Sequence, residues 1–126
     1  MLFDVPSMKK LTHVPYGETY LPLRRALDRI DPQAFTKIHE ELTARFGERE
    51  IDTAGWIPGT NWKDTVWWPI YLAAGEDQEL SGKFFGQIVW QVVMDHPECW
   101  GSGKYELDGI PIRSRTYFRI ECPKLA

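Results

Sequence analysis

The sequence predicts a single α+β domain over residues 1–126, and three observations support this. Two long segments repeat apolar residues at helical spacing. Near the end of the chain, Asp108-Gly109 lies between apolar flanks, which is typical of a tight hairpin turn. The 126 residues contain no repeat and no Ser/Gly linker, so one domain is expected. The predicted order is helices first and the hairpin last.

A short amphipathic helix is predicted from Pro22 to Ile30. Proline is tolerated in a first helical turn, where its missing N–H has no acceptor to lose. Three apolar side chains then share one face: Leu23, Leu27 and Ile30. The residues before this helix lack a helical period, and residues 12–20 suit a short extended segment. A lone hairpin is only marginally stable, so this N-terminal segment is a candidate third strand.

The second amphipathic helix is predicted from Pro32 to Phe46. Asp31 suits the cap position, and proline fits the first helical position. Four apolar residues follow at spacings of three, four and four: Phe35, Ile38, Leu42 and Phe46. Gly47 then suits the helix end.

The middle of the chain combines an irregular loop with a third and a fourth helix. Glycines and a proline interrupt residues 48–64, which predicts a structured loop with one helical turn near Ile51. Residues 69–74 suit a short helix that ends at Gly75. From about Gln78 to Met94, seven apolar residues recur at helical spacing: Leu80, Phe84, Phe85, Ile88, Val89, Val92 and Val93. This broad apolar face predicts a central, buried helix.

The hairpin is predicted over residues 105–120, and residues 101–103 (GSG) are read as its connection to the helix. A two-residue loop at Asp108-Gly109 pairs Leu107 with Ile110, Glu106 with Pro111, and Lys104 with Arg113. Strand alternation then places apolar residues on one face. The opposite, polar face carries Lys104, Glu106, Arg113, Arg115, Tyr117 and Arg119.

This Arg/Tyr hairpin face is the first candidate binding surface, through Arg113, Arg115, Tyr117 and Arg119. Alternate residues on a strand lie about 6.6 Å apart, close to the spacing of phosphates along a nucleic-acid strand. Tyr117 would then stack on a base. The same row suits an acidic patch on a protein partner. The alternative is a solvated edge whose charges prevent strand-to-strand aggregation.

A tryptophan-rich segment, residues 55–69, is the second candidate surface. It holds four of the six tryptophans of the chain. Tryptophan offers a large rigid contact area with little entropy to lose, which suits a peptide, base or sugar. The alternative is that these rings form a local core. We expect most of them to be buried and one or two, with Trp62 and Trp68 as candidates, to contact a partner.

Catalytic and metal motifs are absent from the sequence. His39 lies beside the apolar stripe of its helix, and His96 is followed by Cys99 without the paired spacing of a zinc site. We therefore predict no catalytic residue, no metal and no cofactor. Cys99 and Cys122 are too few for a disulfide framework and are expected to be reduced, with pairing as the alternative.

Charge and composition favour a protein partner. The net charge of −3 argues against bulk attraction to nucleic acid. No apolar run reaches membrane-spanning or signal-peptide length, which predicts a cytoplasmic protein with no membrane association. The sequence thus predicts a non-catalytic binding or inhibitor-like module that docks through the hairpin face and the tryptophan-rich loop. The alternatives are a module for single-stranded nucleic acid and a small enzyme using His39 or His96 with nearby carboxylates.

Overall fold

The computed structural model describes residues 1–5, 7–53, 57, 61–103, 106–107, 110–111 and 115–123. Its described part is α+β, which confirms the predicted class. The helices are α1 (Gly17–Ile30), α2 (Ala34–Gly47), α3 (Trp68–Ala73) and α4 (Gln78–Asp95). The strands are β1 (Leu2–Asp4), β2 (Lys10–Leu11), β3 (Ile51–Thr53), β4 (Trp100–Gly103), β5 (Glu106–Leu107), β6 (Ile110–Pro111) and β7 (Thr116–Arg119).

Five strands form one mixed sheet in the order β2-β1-β4-β7-β3. β1 runs parallel to β4, with Leu2 opposite Trp100, and the other neighbours in this sheet are antiparallel. A strand from the N-terminal segment therefore does join the C-terminal strands. It lies at residues 2–4 and not at the extended segment expected over residues 12–20, most of whose later half belongs to α1.

The predicted hairpin register is confirmed where β5 meets β6. Glu106 pairs with Pro111, and Leu107 pairs with Ile110. The expected turn at Asp108-Gly109 and the pairing of Lys104 with Arg113 lie outside the described residues.

The prediction that the hairpin continues in the same register beyond β5 and β6 is wrong. The same register would place Gly103 opposite residue 114, whereas Gly103 pairs with Thr116, two residues further along. Residues 101–103 are also not a connector, because they belong to β4. Gly101 is required there, since an added Cβ would lie 2.6 Å from the Phe118 ring.

α4 is the central helix that the sequence predicts. Nine of its side chains are buried: Ser81, Phe84, Phe85, Gln87, Ile88, Val89, Trp90, Val92 and Val93. Its N-cap is Asp77, whose side chain accepts a hydrogen bond from the Leu80 amide at 2.9 Å. α2 also agrees with the prediction to within two residues at each end.

α1 begins earlier than predicted, at Gly17, so Pro22 lies inside the helix and not in its first turn. The reason is a tertiary contact. The buried Gln87 carboxamide of α4 donates to the Pro15 carbonyl at 2.9 Å and to the Tyr16 carbonyl at 3.3 Å. This contact fixes the chain ahead of Pro22. The proline has no N–H, so the helix lacks one internal hydrogen bond there.

β3 replaces the helical turn expected near Ile51. It pairs antiparallel with β7, placing Asp52 opposite Tyr117. The Asp52 carboxylate is fully buried and accepts a hydrogen bond from Arg45 Nε at 2.7 Å. An acid that is solvated in the unfolded chain is thus used to tie the sheet edge to α2.

Cys99 and Cys122 form a disulfide, so the expectation of two reduced thiols is wrong. Cys99 immediately precedes β4, and Cys122 lies three residues after the end of β7. Because these strands are antiparallel with Trp100 opposite Arg119, the two Cα atoms come within 5.2 Å. That separation is within the range of about 4.4–6.8 Å that a disulfide requires.

Within the described part of the chain, we find no helix with the length and apolar character needed to cross a membrane.

Candidate ligand pocket

The segment before α3 is shaped by local side-chain to backbone hydrogen bonds. The Asn61 side-chain oxygen accepts from the Lys63 amide at 3.1 Å. The Thr65 hydroxyl donates to the Trp62 carbonyl at 2.6 Å and accepts from the Trp67 amide at 3.2 Å. Such bonds offer the backbone an alternative to helix and strand. Residues 61–67 therefore form a defined bend that leads into α3.

Phe85 of α4 anchors this bend from the inside. The buried Trp67 ring lies 5.2 Å from the Phe85 ring in an edge-to-face arrangement. The half-buried Trp62 ring lies 5.8 Å from the same phenyl ring and is tilted against it. Aromatic pairs of this kind add about 0.5–1.5 kcal/mol beyond their buried area. One phenylalanine thus holds two tryptophans, and only one of them is fully covered.

Trp68 and Tyr71 form a second aromatic pair on α3. They are three residues apart, so they share a helix face. Their rings are stacked with centroids 5.1 Å apart and planes inclined by 29°. Both side chains are only half-buried.

Trp62, Trp68 and Tyr71 line a surface pocket of about 570 Å³, which we call the tryptophan pocket. The other described lining residues are Asn61, Lys63, Gln78 and Ser81. Ligand sites commonly enclose about 300–1,000 Å³, with aromatic walls and a few polar groups. The structure therefore brings together the two tryptophans that the sequence selected. Trp56, from the same segment, lies outside the described residues.

The Arg/Tyr hairpin face is not the exposed row that the sequence predicts. Alternation along β7 is as expected, but Tyr117 points toward the helices and is only 2% exposed. Its ring packs edge-on against Phe46 of α2 and Trp90 of α4. Burial raises the pKa of the Tyr117 phenol well above its ordinary range. The face that was expected to meet a partner is thus the face that meets the helical layer.

Arg119 forms hydrogen bonds with backbone carbonyls at the C-terminal end of α2. Its guanidinium donates to the backbone carbonyls of Gly47 at 2.7 Å and Arg49 at 2.6 Å, and it forms an ion pair with Glu98. It also lies 5.1 Å from the centre of the Trp100 ring. A cation at a helix C-terminus satisfies carbonyls that have no partner within the helix and complements the macrodipole.

Arg115 lies at the exposed end of the same face. It donates to the Ser102 hydroxyl at 2.7 Å, and its guanidinium sits 4.6 Å from the Trp90 ring centre. Arg113 lies outside the described residues. The structure therefore does not bring the hairpin candidates together with Trp62 and Trp68 in one described site.

The two histidines considered for catalysis have different surroundings. His96 is buried, and its Nδ1 accepts from the Glu98 amide at 3.1 Å. Burial lowers the pKa of His96 below its ordinary value of 6.5. His39 is partly exposed, with Nε2 at 2.9 Å from an Asp95 carboxylate oxygen and Nδ1 at 3.3 Å from the Thr43 hydroxyl. Neither histidine lines the tryptophan pocket.

Comparisons with known protein families, curated proteins and solved structures give no match. No three potential ligands among the described His, Cys, Asp and Glu side chains are grouped closely enough to hold a metal ion.

Sequence reasoning missed five residues of the pocket: Asn61, Lys63, Tyr71, Gln78 and Ser81. One signal was available for Tyr71, because it stands three residues after Trp68 and the helix predicted over residues 69–74 needs to begin only one residue earlier to place both rings on one face. Gln78 and Ser81 enter the pocket only through the packing of α4 beside the bend, which no local pattern encodes.

Proposed function

We propose that this protein is a small non-catalytic binding module that docks to a protein partner through the tryptophan pocket. The observation that carries the proposal is the meeting of three partly exposed aromatic rings, Trp62, Trp68 and Tyr71, in one pocket of about 570 Å³. Tryptophan and tyrosine dominate the binding energy of protein interfaces. Phe85 holds Trp62 in place before any partner arrives, which lowers the entropic cost of binding.

The chemistry of the pocket favours binding over catalysis. Its described lining contains no acid, histidine or cysteine. Ser81 is present, but its hydroxyl already donates to the Asp77 carbonyl at 2.5 Å. A nucleophile or a general acid needs a neighbouring group to activate it. The rings and amides instead provide contact area and hydrogen bonds.

The hairpin face has a smaller part in this proposal. Arg115 and Arg113 remain candidate partner contacts, whereas Tyr117 and Arg119 are assigned to the fold. The nucleic-acid alternative is weakened by the burial of Tyr117, because that ring was the one expected to stack on a base.

A small enzyme remains the second candidate because of a single arrangement. In it, the His39 imidazole lies between the Asp95 carboxylate and the Thr43 hydroxyl. A carboxylate that orients an imidazole toward a hydroxyl is a general-base geometry. An enzyme should lose activity in a His39→Ala variant of unchanged stability, whereas a binding module should tolerate this substitution.

Selection from a random peptide library displayed on phage tests the proposal. The folded protein should enrich peptides that fail to bind a Trp62→Ala/Trp68→Ala variant of unchanged circular dichroism spectrum. The matched control is Tyr16→Ala, which removes a ring that is 74% exposed and outside the pocket, and which should keep binding. Enrichment that is equal for parent and double variant, or no enrichment, contradicts the proposed function.

The cytoplasmic location stays a prediction from the sequence. The disulfide between Cys99 and Cys122 weighs against it, because disulfides persist mainly in oxidising compartments. Alkylation of thiols in intact cells decides the question, since a cytoplasmic protein should be labelled at Cys122, whose side chain is exposed.

A further inference from the structure

The tryptophan pocket offers hydrogen-bond donors on three side chains, Asn61, Lys63 and Gln78, whereas the Ser81 hydroxyl already donates to the Asp77 carbonyl. The Asn61 side-chain oxygen accepts from the Lys63 amide, and its NH₂ group is a donor for a ligand acceptor. Lys63 supplies an exposed ammonium, and Gln78 supplies a second carboxamide. These donors favour a ligand that presents acceptors beside the aromatic rings.

The charges around the pocket suit a ligand with one anionic group better than a ligand with a row of anionic groups. Lys63 is the sole cation of the described lining, and no acid within the described part of the chain pairs with it. Asp64 follows it in the sequence, and Asp77 and Glu79 flank Gln78. A single carboxylate gains from Lys63, whereas successive phosphates of a nucleic acid would pass these acids.

The rings limit the backbone conformation of the ligand. Aromatic-lined grooves recognise the polyproline II helix, whose proline rings lie flat on indole and phenol faces. This helix has no internal hydrogen bonds, so its carbonyls remain open to donors. Trp62, Trp68 and Tyr71 supply the rings, and Asn61 and Gln78 supply the donors.

We infer that the tryptophan pocket binds an extended, proline-rich peptide segment carrying one acidic side chain, whose carboxylate pairs with Lys63. The inference rests on the proposed function and narrows it to one class of peptide. Lys63 then determines specificity, while the aromatic rings provide most of the affinity.

A titration with two defined peptides tests the inference. Fluorescence anisotropy compares labelled peptides of sequence PPPEPPP and PPPKPPP on the full chain. The parent should prefer the glutamate peptide by about 3- to 10-fold at low salt, and salt should reduce the preference. Lys63→Glu should reverse the order of the two peptides. Lys37→Glu is the matched control, because Lys37 is an exposed lysine of α2 outside the pocket, and it should keep the parental order.

The other outcomes separate this inference from the proposed function. Equal binding of both peptides, or a glutamate preference that survives Lys63→Glu, overturns the inference. If neither peptide binds while selected peptides still require Trp62 and Trp68, the inference fails and the proposed function stands. If an oligothymidylate binds the parent and Trp62→Ala/Trp68→Ala abolishes this, a nucleic-acid ligand replaces the peptide.

Discussion

Two aromatic clusters of this protein resemble each other in composition and differ in what covers them. The sheet cluster consists of Phe46, Trp90, Trp100 and Tyr117, whose rings contact one another edge-to-face. The pocket cluster consists of Trp62, Trp68 and Tyr71. Trp100 is 0% exposed and Tyr117 is 2% exposed, whereas the members of the pocket cluster are all half-buried.

The difference follows from the layers around each cluster. The sheet cluster lies between strands β4 and β7 on one side and helices α2 and α4 on the other, so every ring is enclosed. The pocket cluster lies on a six-residue helix and the bend before it, with α1 and α4 on the inner side only. A high content of aromatic residues thus does not distinguish a buried core from a binding site. The number of layers of secondary structure that cover the rings distinguishes them.

Trp100→Ala should give the largest loss of stability. Emptying a buried aromatic site costs about 3–5 kcal/mol. Trp68→Ala, the matched control from the pocket cluster, should cost about 1 kcal/mol or less, because this ring is already partly in water. Urea denaturation of both variants measures the contrast. Similar losses for the two variants would remove the distinction between the clusters.

Reduction of the disulfide should rank second. Cys99 and Cys122 close a loop with a sequence separation of 23, and a disulfide of this kind contributes about 2–4 kcal/mol. Denaturation with and without a phosphine reductant measures the effect. Cys122→Ser is the control, because its stability should not respond to the reductant. If the reductant also leaves the stability of the parent unchanged, the two cysteines are not paired.

Arg119 in β7 and Arg115, one residue before β7, sharpen the comparison, because each guanidinium lies against a ring of the sheet cluster. Arg119→Gln should cost about 1–3 kcal/mol, since it leaves several carbonyls at the end of α2 without their donor. Arg115→Gln should cost about 1 kcal/mol or less, because this side chain is exposed. Thermal melts of the two variants check the order, and the reverse order would contradict the role of Arg119.

His96 should make the sheet cluster sensitive to acid. Burial lowers its folded-state pKa below 6.5, so the unfolded chain binds the proton more readily. The stability that His96 contributes is complete above pH 6.5 and is lost as the pH falls through the folded-state pKa. His96→Gln should flatten the decline in unfolding free energy below pH 6.5. An unchanged pH profile would show that His96 does not titrate in this way.

Local sequence patterns predicted the helices and the strand pairing more accurately than they predicted the tertiary contacts of these elements. The periods of α2 and α4, and the pairing of Leu107 with Ile110, could be read directly because they depend on neighbours in sequence. The burial of the inner face of β7 could not be predicted in this way. Arg119 looks like a surface residue until the carbonyls at the end of α2 are placed beside it, and that placement is tertiary.

The candidate site shows the same limit. Trp62 and Trp68 could be selected from the composition of their segment, since rings in an irregular loop have few ways to be fully covered. Lys63 and Gln78 could not, because their meeting depends on the angle between the bend and α4. The face of Tyr117 was assigned wrongly for a related reason, as two flanking arginines made a buried strand face look polar.

The most direct test of the tryptophan pocket is an NMR titration that observes the tryptophan indole N–H signals. The signals of the six tryptophans are assigned by single Trp→Phe variants, and a peptide selected from the display library is then added. We predict that the signals of Trp62 and Trp68 shift with the bound fraction while those of Trp90 and Trp100 stay in place. Unchanged Trp62 and Trp68 signals on saturation with a binding peptide would contradict this prediction.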